Sequence, residues 1–192
     1  MVLRIDHVSI AVKDYEKAAA FFKNLFGALE GVGAEDSGSM KYKWQLFSMG
    51  DMSRLEIIAP TGAGSYLDGF LAKKDAGVHH ITLQVENIRE AKSDLERQNI
   101  PFFGFREYGD YWKELFIHPR DAFGVLIQLA EFRPDDWLPD SVKMKADEKF
   151  RVKKTSSGVE LSLRNPGGGF VMQNLSAEEA RSLAKYLLKN CG

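Results

Sequence analysis

Four residues stand out because their types suit metal chemistry and their spacing repeats. His7 lies in Ile5-Asp6-His7-Val8-Ser9-Ile10-Ala11-Val12, and His80 in Val78-His79-His80-Ile81-Thr82-Leu83-Gln84-Val85. The octets match residue type for residue type at an offset of 73 (80 minus 7). A second pair recurs at an offset of 72 (128 minus 56): Glu56 in Leu55-Glu56-Ile57-Ile58-Ala59, and Gln128 in Ile127-Gln128-Leu129-Ala130-Glu131. Two imidazoles, a carboxylate and an amide oxygen form a donor set for one first-row divalent ion such as Zn, Ni, Co, Mn or Fe. His7, Glu56, His80 and Gln128 are therefore the candidate metal ligands. Glu56, the only carboxylate of the four, is also the candidate catalytic base.

The elements around these residues must repeat as well. Both octets alternate at period two, with His7, Ser9 and Ala11 opposite Val8, Ile10 and Val12, and with His80, Thr82 and Gln84 opposite Ile81, Leu83 and Val85. Helices are expected after each octet. The first is capped by Asp14, with Ala18, Phe21, Phe22 and Leu25 as its buried stripe; the second opens on the capping-box pair Asn87 and Glu90. Gly27 and Asn99-Ile100-Pro101 end them. Strands are expected near 29–34, 41–49 and 54–59 in the first half, and near 102–108, 113–118 and 125–131 in the second. His79 faces away from the ligand side, and His118 before Pro119 belongs to a turn.

Residues 1–132 thus form an α+β domain of paired βαβββ modules, about 1–62 and 77–132. Residues 133–149, with Pro134, Asp135, Asp136, Pro139 and Asp140, read as a surface linker. Residues 150–192 read as a small ββ(β)α appendage closed by a helix with the capping box Ser176/Glu179 and the stripe Ala180, Leu183, Ala184 and Leu187. The glycine triplet at 167–169 lacks phosphate-loop spacing and reads as a flexible turn.

Composition narrows the function. Lys and Arg number 26 against 27 Asp and Glu, so no basic field exists to gather nucleic acid. No apolar run approaches a membrane span, and the first residues lack the layout of a signal peptide. The single cysteine, Cys191, forms no disulfide within the chain, which fits a cytoplasmic setting.

At Ile5-Asp6-His7-Val8, Leu55-Glu56-Ile57-Ile58-Ala59-Pro60, Gly77-Val78-His79-His80-Ile81, Phe116-Ile117-His118-Pro119 and Gly124-Val125-Leu126-Ile127-Gln128-Leu129 the sequence resembles the vicinal-oxygen-chelate (glyoxalase/bleomycin resistance/dioxygenase) superfamily. Within it the methylmalonyl-CoA epimerases are closest. The resemblance spans about residues 3–132. It implies strands curled around a metal, a homodimer, and substrates that chelate through adjacent oxygens and lose a proton beside a carbonyl. A metal-dependent lyase or isomerase, glyoxalase-I-like or epimerase-like, acting on a small carbonyl compound or acyl thioester is the activity implied. Gln45, Ser9, Thr82 and Gln84 are the candidate substrate contacts. Two departures matter. The epimerase pattern ends its ligand set with Glu where this chain has Gln128, and its acid/base Glu on the third strand falls at Gln45. Glutamine exchanges no proton near neutral pH, and epimerisation needs a proton removed from one face and returned to the other. A non-catalytic protein that sequesters small molecules is therefore the alternative. Ring-cleaving iron dioxygenases place a carboxylate ligand where Gln128 stands, which disfavours that chemistry.

Overall fold

The computed structural model describes residues 2–50, 53–165 and 168–191. The first half runs β1 (Val2–Val12), α1 (Tyr15–Phe26), β2 (Leu29–Asp36), β3 (Tyr42–Met49) and β4 (Ser53–Pro60). A short helix α2 (Asp68–Leu71) leads to the second half: β5 (Ala76–Val85), α3 (Ile88–Arg97), β6 (Phe103–Tyr108), β7 (Trp112–Ile117) and β8 (Ile127–Glu131). All eight strands form one sheet in the order β2-β3-β4-β1-β5-β8-β7-β6. The order reads the same outward from the central β1–β5 seam, so the halves are related by a pseudo-two-fold axis at that seam. β1 runs parallel to β4 and β5 parallel to β8, with antiparallel ladders elsewhere.

Register shows how strictly the repeat is kept. Ser9 pairs with Glu56 across β1–β4, and Thr82 with Gln128 across β5–β8. Leu46 pairs with Glu56 and Phe116 with Gln128 on the outer ladders. Two residues back along each outer strand stand Trp44 and Glu114, so the axis exchanges an indole for a carboxylate.

Each half has its own core under its own helix. Val12, Ala19, Ala28, Phe47, Leu55 and Ile57 form the first, and Val85, Ile88, Leu95, Leu115, Ile117 and Leu129 the second. The expected caps are present. Asp14 accepts from Lys17 N at 3.0 Å, Asn87 accepts from the amides of Arg89 and Glu90, and Gly27 ends α1 at φ 64°. The buried face of α1 is rotated from the one expected: Tyr15, Ala18, Ala19 and Phe22 pack inward. Phe21 and Leu25 are exposed. One continuous 15/18–19/22 stripe already fills the space over β4, and Phe21 and Leu25 lie outside it.

The 133–149 segment is not the surface linker its prolines and aspartates suggested. Two short 3-10 turns, Pro134–Trp137 and Asp140–Val142, fold it against the domain, and Leu138, Val142 and Met144 are buried. It is a strap. The appendage follows as β9 (Phe150–Lys154), β10 (Gly158–Arg164), β11 (Phe170–Ser176) and α4 (Ala177–Asn190), in a separate sheet ordered β11-β10-β9. Ser176 and Glu179 form the full capping box of α4, yet Leu183 and Leu187 of its stripe stay exposed. Arg164 pins the sheet to the strap, donating to Asp135 Oδ2 at 2.6 Å and to the carbonyls of Glu148 and Lys145. Gly167 lies outside the described residues; Gly168 takes φ 94°, where a Cβ would meet Pro134. No helix of the described residues is long and apolar enough to cross a membrane.

Candidate metal centre and its cavity

β1 and β5 lie side by side and each turns its histidine to the same face as β4 and β8, so the four candidate ligands converge at the seam. Ligand atoms of His7, Glu56 and His80 lie within 4.8 Å of one another. Glu56 Oε2 is 3.8 Å from His7 Nε2 and 3.5 Å from His80 Nε2. That oxygen is buried and has no hydrogen-bond partner among the described residues, an arrangement that costs free energy unless a cation fills it. Gln128 completes the group from β8. The buried Thr82 hydroxyl donates to Gln128 Oε1 at 2.5 Å and lies 2.9 Å from His7 Nε2, joining the two ligand sets.

The outer partners fix which atoms point inward. His7 Nδ1 donates to Asp6 Oδ2 at 2.7 Å, which turns the Nε2 lone pair, 2.9 Å from the Thr82 hydroxyl, towards the centre where a metal could take it. Asp6 is itself buried and also takes Arg54 and Arg4. Burial alone pushes the Asp6 carboxyl up, but the His7 hydrogen bond and the Arg54 charge outweigh it and hold the group well below the usual carboxylate range. Gln128 Nε2 donates to Glu114 Oε2 at 2.7 Å, so the carboxylate dictates that Gln128 presents its oxygen inward. Trp112 Nε1 holds the same Glu114 oxygen at 2.8 Å. Burial pushes the Glu56 carboxyl up, with the His7 charge opposing it.

His80 and His79 meet through their Nδ1 atoms at 2.9 Å. With His80 Nδ1 as donor, Nε2 faces the centre and His79 accepts as a neutral ring. Burial, reinforced by Lys74, holds His79 at about 4. Its folded value is depressed, so its contribution to stability is present above the unfolded value of 6.5 and is lost as pH falls towards 4. Replacing His79 by Gln is expected to flatten the acid limb of the stability curve between pH 6.5 and 4. The recovered stability is about 2 kcal/mol, discounted for the part-exposed ring. Urea midpoints of metal-free protein at pH 7, 5 and 4 measure it, and an unchanged slope would contradict the assignment.

None of the four expected substrate contacts lines the cavity. Gln45 turns to the other face of β3, donating to Gly31 O at 2.8 Å and Leu46 O at 3.2 Å; the cavity-facing residues of β3 are Tyr42, Trp44 and Leu46. Gln84 is buried in a structural network, accepting from Arg4 Nε and donating to Phe132 O. Ser9 and Thr82 are both wholly buried beside the ligands, Ser9 opposite Glu56 and Thr82 opposite Gln128. His118 caps a turn, its Nδ1 accepting from Arg120 N.

Asp6, Arg54 and Trp137, which pattern reading did not single out, lie at the candidate site. Asp6 should point away from His7 in a regular strand, but β1 is irregular between Ile5 and His7 and places both inside. The carboxylate-bearing signal was the Asp-His dipeptide itself. Trp137, from the strap, roofs a cavity of about 290 Å³ over the centre, 4.8 Å from Trp112 and 5.9 Å from Trp44 between ring centroids. Its carbonyl accepts from Arg54 Nη1 at 3.2 Å.

Paired βαβββ halves closing on a two-histidine, one-carboxylate centre define a class. Residues 6–116 match the Glyoxalase/Bleomycin resistance protein/Dioxygenase superfamily, and the chain belongs to that superfamily, among the methylmalonyl-CoA epimerases. It is 38% identical over 133 residues to the mitochondrial methylmalonyl-CoA epimerase of Homo sapiens, covering 67% of this chain and 73% of the relative. It is 37% identical to the ethylmalonyl-CoA/methylmalonyl-CoA epimerase of Cereibacter sphaeroides, over 68% of this chain and 99% of the relative. Among solved structures, methylmalonyl-CoA epimerase from Mycobacterium tuberculosis superposes with a TM-score of 0.63 at 26% identity, covering 69% of this chain and 90% of that one. These relatives are enzymes.

Proposed function

We propose that the chain is a metal-dependent isomerase that exchanges the proton on the carbon beside the carbonyl of an acyl thioester. The observation that carries this reading is the buried, unpartnered Glu56 Oε2 between two histidine Nε2 atoms at the floor of the cavity. His7, Glu56, His80 and Gln128 would hold one divalent ion, which supplies a Lewis acid for negative charge developing on a carbonyl oxygen. The lone donor oxygen and the two imidazoles with engaged Nδ1 atoms suit such an ion.

The proton work falls to a residue outside the ligand set. Glu114 lines the cavity and holds Gln128 and Trp112 through Oε2. Its Oε1 has no hydrogen bond among the described residues, so that oxygen is available to take a proton from substrate. Glu56 serves as ligand and not as base on this reading. Across the pseudo-axis Trp44 replaces Glu114, so one side of the cavity carries the base and the other an apolar wall. A glyoxalase-type lyase, needing proton transfer on one side only, is the second reading that this asymmetry favours.

Incubating metal-loaded protein with an acyl-CoA in D2O tests the proposal. Deuterium is expected at the carbon next to the thioester, and Glu114→Gln should slow its entry by 10²-fold or more while the ion stays bound at saturating concentration. Metal-loaded wild type that binds thioesters but exchanges nothing would leave the sequestering reading in its place.

A further inference from the structure

Two cavities meet over the candidate centre. The one roofed by Trp137 and a second of about 450 Å³ share Asp36, Tyr42, Glu56, Tyr108, Glu114 and Gln128, so the centre opens into one continuous cleft. Three of those six residues are carboxylates, and an anion entering the cleft meets their field. One side chain offsets it. Arg106 lines the second cavity, and among the described residues no other Lys or Arg lines either of the two.

The placement of Arg106 is built into β6. Phe103 and Arg106 lie three positions apart, which strict alternation would put on opposite faces. The strand is irregular between them, with Gly104 at φ 65°, and both side chains line the cavity. Arg106 stands directly opposite Glu114 in the β6–β7 ladder, which sets the two side chains next to each other on one face. They form no ion pair, because Glu114 Oε2 is turned to Gln128 and Trp112. Among the described residues the guanidinium donates only to Tyr108 Oη, at 3.4 Å. That partner is neutral, so it aims the fork and leaves its charge unmatched.

We infer that Arg106 is the residue by which the cleft selects an acyl thioester bearing a carboxylate on the carbon beside the carbonyl. The inference rests on the thioester reading above and names the side chain that sets its specificity. A planar guanidinium meets a carboxylate through two parallel hydrogen bonds, a match that an ammonium lacks. Neighbouring strands lie about 4.8 Å apart, so β6 stands about 10 Å from the Gln128 strand and a long side chain spans the gap. The carboxylate of such a substrate is one bond from the reacting carbon and falls within that reach. The phosphates of CoA are separated from the thioester by the whole pantetheine arm.

Equilibrium binding to the metal-loaded full chain provides the test, with tryptophan fluorescence quenching as the readout. The ligands are methylmalonyl-CoA, isobutyryl-CoA (a methyl in place of the carboxylate) and CoA itself. Wild type is expected to bind methylmalonyl-CoA at least about tenfold more tightly than isobutyryl-CoA. Arg106→Gln should weaken methylmalonyl-CoA by about 10–100-fold and change the other two by less than about threefold. Arg106→Lys, which keeps the charge without the planar fork, should fall between. An unchanged preference in folded Arg106→Gln would overturn the inference. So would equal weakening of all three ligands, which would put the guanidinium on a CoA phosphate. If wild type binds neither thioester, the thioester reading falls and this inference with it. Carboxylate selectivity that is lost in Arg106→Gln, in a protein that takes up no deuterium, would uphold the inference and remove the isomerase reading alone.

Discussion

Replacing His7 or His80 by alanine is expected to abolish tight binding of a single divalent ion. Each ring is buried and presents Nε2 to the Glu56 carboxylate at the centre. Free ion at about 100 times its Kd stabilises the native state by about 2.7 kcal/mol, which for a chain of this length raises Tm by about 5–10 °C. Wild type should show that rise with Zn, Ni, Co, Mn or Fe, and both variants should lose it. Metal content of purified protein and paired melting curves with and without chelator supply the check. Wild-type protein that holds no ion and gains no stability from any of the five would exclude the centre.

The second large effect lies one layer out. Glu114 receives the Gln128 amide at 2.7 Å, so Glu114→Gln releases the amide to rotate and is expected to weaken the ion by about 10–100-fold. Gln128→Glu alone would supply a better ligand but set two carboxylates against each other at that distance. The double variant Gln128→Glu/Glu114→Gln keeps one charge and one amide in exchanged places, and its affinity should return to near the wild-type value. Chelator competition on all four proteins gives the coupling directly. Additive effects across the cycle would show that Glu114 does not orient Gln128.

His7, Glu56, His80 and Gln128 were legible because a repeat offset of 72–73 and period-two strands bring equivalent positions to one seam. Gln45 was misplaced because the face of β3 depends on its register with β4, where Leu46 opposes Glu56, and pattern alone does not set that register. Asp6 was hidden by the irregularity in β1. Trp137 was hidden because a run rich in Pro and Asp is indistinguishable from a solvated linker until its Leu138, Val142 and Met144 are seen to be buried.

The central seam has a consequence for how the ion would be held. His7 and Glu56 come from one half, His80 and Gln128 from the other, so each half alone is a bidentate chelator of modest strength. Four-point chelation would require that β1 and β5 stay zipped together. The affinity of the proposed centre would thus be an effective-molarity effect, each half being presented to the other at the concentration set by their shared ladder. A bound ion would in turn act as a staple across a joint that no covalent cross-link secures, since the chain's one cysteine lies free and exposed at position 191.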